Sequence, residues 1–292
     1  MDKVKKEREI HMVRSFVREK RIEAGRFLDL KIYSRSWVQE MKCKEKRARK
    51  MKMTEPPQKA GNDRARKKYG KLLLYTNFGT GDYYGTCTFM PGRLPKNPED
   101  GERIQGNILK KLKRLYQRKG LELKYMLFTE YDYNEKDGFK EKRFHFHIVM
   151  NAGVDRDEIE ACFSEGRGKK AKPYGRMEVQ RITPDGDGSN ETLFNYLTWQ
   201  EKNVNGKWVK GVKRWSRSQN LEKPTITTND SAWSQRKLEK MGKSTDVGEE
   251  LIKQRFPGYR IVELPEAKFF EDSGWHIHAK LIKYDNEREI SG

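Results

Sequence analysis

Leu123-Lys-Tyr-Met-Leu-Phe-Thr-Glu-Tyr131 and Arg143-Phe-His-Phe-His-Ile-Val-Met150 decide the fold. Both runs are rich in aromatic and β-branched residues, and the polar, Gly-containing stretch from Asp132 to Lys142 reads as a turn, so together they read as a hairpin. Upstream, Tyr83-Tyr-Gly-Thr-Cys-Thr-Phe-Met90 ends at Pro91-Gly92 and reads as another strand. Between these, Ile104 to Gln117 places Ile108, Leu109, Leu112, Leu115 and Tyr116 at helical spacing, and Gly120 stops the helix. Downstream the chain reads as a short helix from Asp155 to Phe163, a strand from Gly175 to Ile182 and a helix from Glu191 to Lys202. The order β-α-β-β-α-β-α predicts an α+β domain: an antiparallel sheet of split β-α-β topology with helices packed against it.

The hairpin also carries the chemistry. His145 and His147 are two apart on a strand, so both imidazoles leave the same face, about 6.6–6.8 Å apart along the chain. Phe144, Phe146, Ile148 and Met150 take the other face, which suits packing against helices. Glu130, near the end of the preceding strand, is placed to add a carboxylate. Two imidazoles and a carboxylate with open positions suit an ion that polarises a phosphate oxygen. The bland alternative is a pair of half-buried strand histidines with ordinary hydrogen bonds. The same triplet recurs at Trp275-His276-Ile277-His278 with Glu263 upstream, but no helix follows it, and it reads as an ordinary strand.

What distinguishes the first triplet is the helix after it. In Glu191-Thr-Leu-Phe-Asn-Tyr196-Leu-Thr-Trp-Gln, Leu193, Phe194 and Leu197 form the apolar stripe, and Tyr196 falls at its edge. A phenol there can pack its ring and present its hydroxyl to a held phosphate; a boundary tyrosine of an amphipathic helix is the alternative. The preceding Asp185, Asp187, Ser189 and Asn190 lack the remaining ligands of a calcium loop and read as a turn, with Ser189 or Asn190 capping the helix.

The chain has 292 residues with 63 Lys+Arg against 43 Asp+Glu, a formal charge of +20, and 36% of its residues are charged. Such a balance points to a polyanionic partner, most often nucleic acid. No apolar run approaches the roughly 18 residues of a membrane span, and no apolar leader opens the sequence. Cys43, Cys87 and Cys162 are too few and too scattered for a disulfide framework or a four-thiolate zinc site, so the reading expects a reducing cytoplasm and no membrane. Residues 1–70 carry 23 Lys+Arg and 10 Asp+Glu, including the run from Lys42 to Lys50. They read as a basic arm, partly disordered or helical, that lies along phosphates. Residues 71–224 read as the main domain and 225–292 as a C-terminal extension of unknown role, a small second unit or extra strands.

The three motifs together resemble a rolling-circle replication initiator (Rep) of the HUH endonuclease superfamily, of the bacterial plasmid or phage-like type. The Tyr83–Met90 strand is similar to that family's first motif. Arg143-Phe-His145-Phe-His147-Ile-Val-Met-Asn151 is similar to its metal-binding His-hydrophobic-His motif, and Leu193-Phe-Asn-Tyr196-Leu-Thr to its tyrosine helix. Lys213-Arg-Trp-Ser-Arg-Ser218-Gln-Asn-Leu221-Glu-Lys-Pro224 resembles a basic segment that follows the tyrosine in related proteins. The likeness covers about residues 83–224.

The resemblance implies a ferredoxin-like HUH fold and metal-dependent nicking and joining of single-stranded DNA at a replication origin, through a 5′-phosphotyrosine. Tyr196 would be the nucleophile, and Glu130, His145 and His147 would hold Mg²⁺ or Mn²⁺. No phosphate-cradling nucleotide loop is present, so a helicase and a polymerase would come in trans. Single-stranded DNA is expected in a basic groove with aromatic platforms; the candidates are Trp199, Lys202, Arg214, Trp215 and Arg217, with Lys169 and Lys170 of the loop 167–172. Many members carry a lysine three residues after the tyrosine, where this chain has Trp199, and Lys202 is the nearest basic residue expected on that helix. Gln200, four residues on, gives no second tyrosine. An HUH relaxase or transposase is the near rival, although relaxases usually add a third histidine that is missing here. A non-catalytic nucleic-acid-binding protein is the alternative of a different class.

Overall fold

The computed structural model describes residues 15–41, 56–140, 143–209, 213 and 215–284. In chain order, β1 (Ser15–Ala24) and β2 (Phe27–Ser36) form a hairpin, followed by α1 (Pro56–Asn77), β3 (Tyr83–Phe89), α2 (Pro98–Arg118) and β4 (Tyr125–Asn134). Next come β5 (Gly138–Phe139), β6 (His145–Met150), α3 (Arg156–Glu160), β7 (Ser164–Glu165), β8 (Lys172–Pro173) and β9 (Gly175–Arg181). Then follow α4 (Glu191–Thr198), β10 (Lys202–Val204), β11 (Lys207–Trp208), β12 (Trp215–Arg217) and β13 (Thr225–Asn229). The described chain ends with α5 (Gln235–Lys243), α6 (Thr245–Arg255), β14 (Tyr259–Phe270) and β15 (Gly274–Lys283). The protein is α+β. Two compact units divide it: Arg64–Glu222 forms one, and the residues up to Asp63 join those from Lys223 onward in the other. Among the described residues no helix is long and apolar enough to cross a membrane.

The sheet of the Arg64–Glu222 unit has the order β11-β10-β4-β6-β3-β9, with β12 and β5 also paired to β4. β6 lies between β3 and β4 and is antiparallel to both, so those two strands run the same way, and α2 connects them. Among the described residues of this sheet, only β10 pairs in parallel, against the end of β4. Alternation sorts the side chains: Tyr83, Gly85, Cys87 and Phe89 of β3, with Phe146, Ile148 and Met150 of β6, share one face. That face meets Ile104, Ile108, Leu112 and Leu115 of α2 in a single core. α2 begins a turn and a half before its apolar stripe, which is why the periodicity alone starts it late. Asn97 caps it by accepting from the Asp100 amide, Pro98 pre-sets its first turn, and Glu99 and Asp100 complement its dipole.

The other unit is a five-stranded antiparallel sheet of order β13-β1-β2-β15-β14. Val17, Leu28, Leu30, Ile32, Ile277, Ala279 and Leu281 form a core with Leu238 and Met241 of α5 and Ile252 of α6. Glu19 lies within it at 0% exposure, held by Arg255 at 2.6 Å, Arg21 at 2.6 Å and the Trp233 indole N–H at 2.6 Å.

Over residues 15–36 the expected basic arm is instead a pair of strands, while the helix over 56–77 agrees with the helical part of that expectation. Along these strands Arg18, Lys20, Lys31 and Arg35 keep to the more open positions while Val17, Leu28, Leu30 and Ile32 are buried, and the high charge density, which includes the buried Glu19 and Asp29, hides the strand pattern. Residues 56–77 are helix, opened by Pro56 and Pro57 and buried at Leu72, Leu73 and Leu74. The run Lys42–Lys50 lies outside the described residues. Of the two readings of the C-terminal segment, a second unit or extra strands on the main sheet, the first describes 225–284: its strands complete the sheet begun by β1 and β2.

Candidate active site

The second face of the Arg64–Glu222 sheet carries the polar side chains. Register sets them in two rows: Thr88, His145 and Glu130 lie side by side across β3, β6 and β4, and Thr86, His147 and Phe128 form the row beside them. Glu130 is thus directly opposite His145, and its Oε2 lies 3.3 Å from the His145 Nε2. The His145 Nδ1–H donates to the Arg143 carbonyl at 2.9 Å, which turns Nε2 toward the carboxylate. The two imidazoles stand edge to face, their centroids 5.3 Å apart.

His147 is 3% exposed and has a partner at each ring nitrogen. Nδ1 meets the Tyr84 hydroxyl at 2.8 Å and the Thr86 hydroxyl at 3.2 Å, and the Tyr84 ring stacks on the imidazole at 5.6 Å. Nε2 meets the Tyr196 hydroxyl at 3.1 Å. Burial, reinforced by His145 and opposed by Glu130, pushes the His147 imidazole down to about 4. It is therefore neutral at neutral pH, the form that accepts a proton or binds an ion. Burial likewise pushes the Tyr84 phenol up to about 12, so it stays a neutral hydrogen-bonding group.

Tyr196 is brought to the imidazoles by α4. Phe194 and Leu197 are fully buried, while Tyr196 keeps 48% of its surface open. The Asp185 carboxylate accepts from the Thr192 amide at 3.0 Å and the Ser189 hydroxyl from the Glu191 amide at 3.2 Å, so Ser189 takes part in the cap and the Asn190 side chain does not. From α1, Lys71 pairs with Glu191 and donates to the Asn195 side chain at 3.0 Å. Tyr75 of α1 meets Phe194 edge-on at 4.9 Å.

The remaining expected site residues divide. Trp199 caps α4, is 63% exposed, and carries the Lys67 ammonium 3.7 Å from its ring centroid. Trp215 and Arg217 of β12 pair beside Phe128 and Met126 on the imidazole face. Trp215 also packs on α1: a Cβ at Gly70 would come 2.8 Å from its indole nitrogen, so only glycine permits that approach. Lys202 is a correction. The helix ends at Thr198, and Lys202 lies on β10, 5% exposed, 3.6 Å from Glu102, because Lys202-Asn-Val pairs along β4 and Asn205-Gly206 turns it back. It is not available to DNA. Lys169 and Lys170 are separated from the imidazoles as well. Their loop follows Ser164, which Lys111 of α2 holds on the opposite side of the sheet. Arg214 lies outside the described residues.

Sequence reasoning missed Tyr84 and Thr86. Their signal was the polar alternation Tyr84, Thr86, Thr88 within a strand whose other face is apolar. Lys67 and Lys71 gave no local signal, since they reach the site only through the packing of α1. The second triplet differs in its neighbours. His278 meets Asp29 at 3.3 Å and His276 meets the Ser273 hydroxyl at 3.0 Å, while Lys31 and Lys268 pair beside the two imidazoles. Glu266 also pairs beside His278 and holds the Lys268 ammonium at 2.6 Å, so charges of both signs surround this triplet; what sets the first one apart is the tyrosine helix beside it.

No family model matches the chain, and neither does any curated protein or solved structure.

The donor set of the first site, two imidazoles and one carboxylate, suits a divalent ion. Among the described residues no three such donors are drawn to one point. Glu130 and His145 already face each other, whereas the His147 Nε2 is spent on the phenol. With His145 fixed by a backbone carbonyl and His147 by Tyr84, both rings have the outer support that ligating histidines use, and the residues fit such an ion.

Proposed function

We propose that the chain is an HUH-type endonuclease that nicks and rejoins single-stranded DNA at an origin and so starts rolling-circle replication. The observation that carries the reading is the Tyr196 hydroxyl 3.1 Å from the His147 Nε2, on a face that also holds His145 and Glu130. The strand order β9-β3-β6-β4, with α2 joining β3 to β4, is the order expected of a split β-α-β sheet and supports the same reading.

In this proposal the Tyr196 oxygen bonds to phosphorus as the bond from phosphorus to the 3′ oxygen breaks. The products are a 5′-phosphotyrosine and a free 3′-OH, which takes up a proton and primes synthesis. The phenol proton leaves to solvent, to which Tyr196 is 48% exposed, because the one available lone pair of His147, on Nε2, is needed for the ion in this reading. A Mg²⁺ or Mn²⁺ ion held by Glu130, His145 and His147 would supply charge neutralisation at the scissile phosphate. The half-open phenol and the exposed Trp199 beside it leave room for a strand. Helicase and polymerase activities would come from other proteins.

The test is incubation with a labelled origin oligonucleotide and Mn²⁺. A covalent protein–DNA band is expected, which Tyr196→Phe abolishes, His145→Ala reduces by at least about 100-fold, the loss expected on removing a metal ligand, and EDTA suppresses. His276→Ala with His278→Ala should leave it intact. An adduct that persists in Tyr196→Phe would show that another residue is the nucleophile, and its absence from the unaltered chain with every divalent ion would leave a non-catalytic nucleic-acid binder as the reading.

A further inference from the structure

His147 offers an ion one ring position, and Tyr196 holds it. On the Nδ1 side the Tyr84 hydroxyl at 2.8 Å and the Thr86 hydroxyl at 3.2 Å cover the ring, and Thr86 also donates to Tyr84 at 3.1 Å. On the Nε2 side, among the described residues, the Tyr196 hydroxyl at 3.1 Å is the hydrogen-bond partner. Either the phenol donates to the Nε2 lone pair, or an Nε2–H donates to the phenol oxygen. In both tautomers the hydroxyl occupies the place from which an ion would approach Nε2. The Tyr196 ring adds an edge-to-face contact with the imidazole, the centroids 5.3 Å apart. His147 is buried, whereas the side chains of His145 and Glu130 are more open. An incoming ion thus meets the Glu130–His145 pair first, and the third donor only when the phenol moves. Tyr196 can move: half of its surface is open and it lies two residues from the end of α4, so a change of rotamer lifts the hydroxyl without unpacking Phe194 or Leu197.

We propose that the Tyr196 hydroxyl is a latch on the metal centre: phenol and ion compete for the His147 Nε2, so that seating the ion releases the phenol toward the strand. Resting on the reading of Glu130, His145 and His147 as ligands, the latch adds a regulation, in which the nucleophile is held back until the ion is in place. The coupling is reciprocal, so whatever holds the phenol on Nε2 is subtracted from the affinity for the ion. One neutral hydrogen bond shifts an equilibrium by about two- to tenfold. The two phenols at this imidazole therefore act in opposite senses: Tyr84 orients the ring for the ion, and Tyr196 competes with it. A hydrogen bond tolerates a shift of a few tenths of an ångström, so loosening the α1 brace of α4 does not open the latch, whereas removing the hydroxyl does.

The test is a titration of Mn²⁺, without DNA, into the unaltered chain and Tyr196→Phe, with bound ion counted by electron paramagnetic resonance. The variant keeps the ring contact and removes only a half-open hydroxyl, so thermal unfolding should be unchanged. Its Mn²⁺ binding should be tighter by about two- to tenfold at the same stoichiometry. His145→Ala should remove this binding step from both chains, which assigns the step to the site. Trp199→Leu, an exposed change on α4, should leave the affinity where it is. Equal affinity in Tyr196→Phe would show that ion and phenol do not share Nε2, and weaker affinity that the phenol oxygen is itself a ligand; either result overturns the latch. A step that survives His145→Ala, or a gain matched by Trp199→Leu, overturns it as well. No arm uses DNA, so the latch can fail while Tyr196 still forms its adduct, and can hold in a chain that forms none.

Discussion

Tyr84 decides how His147 presents itself. Its hydroxyl meets Nδ1 at 2.8 Å and its ring stacks on the imidazole, so it fixes both the tilt of the ring and which nitrogen faces the phenol. Tyr84→Phe keeps the stack and removes the hydrogen bond. Partners of ligating histidines contribute 10–100-fold to metal affinity. The expected result is an approximately tenfold weaker Mn²⁺ titration, toward the low end of that range because Thr86 still reaches the same nitrogen. Undiminished affinity would mean that Tyr84 only fills space. At this scale the sequence was informative where chemistry repeats locally: the spacing of His145 and His147 put both on one face, and the end of the preceding strand put Glu130 opposite. It was silent on Lys67 and Lys71, because a lysine on a charged helix has the same local pattern whether it faces water or a tyrosine helix.

At the scale of elements, α4 is eight residues long, too short to hold itself by propensity. Its position depends on α1, through Lys71 on Glu191 and Asn195 and through Tyr75 on Phe194. Lys71→Met removes the polar half of that brace and leaves the aromatic half. Adduct formation should slow by about tenfold, the effect of a small misplacement of a reacting group, while Mn²⁺ affinity stays unchanged, since the three donors are carried by β4 and β6. A matched fall in both would show that Lys71 supports the whole unit and not α4 alone. The hydrophobic stripe of α4 was legible, and its end was not. Lys202 continues a plausible helix in one dimension but is claimed by the exposed edge of β4, a tertiary pairing that no helical periodicity records.

For the whole molecule, the second unit turns on Glu19. Burial pushes its carboxyl up, but hydrogen bonds from Arg255, Arg21 and Trp233 outweigh this and hold it below the usual 4.5. A carboxyl whose folded value is depressed stabilises fully above the unfolded value, and this stability is lost as pH falls through the folded one. Calorimetry should therefore show the unit's transition dropping below about pH 4.5. Glu19→Gln should lower it at pH 7 by about 3 kcal/mol, the low end for a broken buried pair since both guanidiniums are partly open, and should flatten the acid dependence. An identical pH profile in the variant would remove Glu19 from the account. The period-two pattern of this unit was visible in principle, but its strands come from both ends of the chain, and nothing local pairs β2 with β15. That pairing has a consequence on the ribosome. Once β1 and β2 have emerged, about 190 further residues must be translated before β13 exists to flank β1 and about 250 before β15 flanks β2, roughly 10–50 s at ordinary elongation speeds. For most of that interval the nascent hairpin has bare edges on both sides, so chaperone protection, more than intrinsic folding speed, should limit how much of the finished polypeptide a cell recovers.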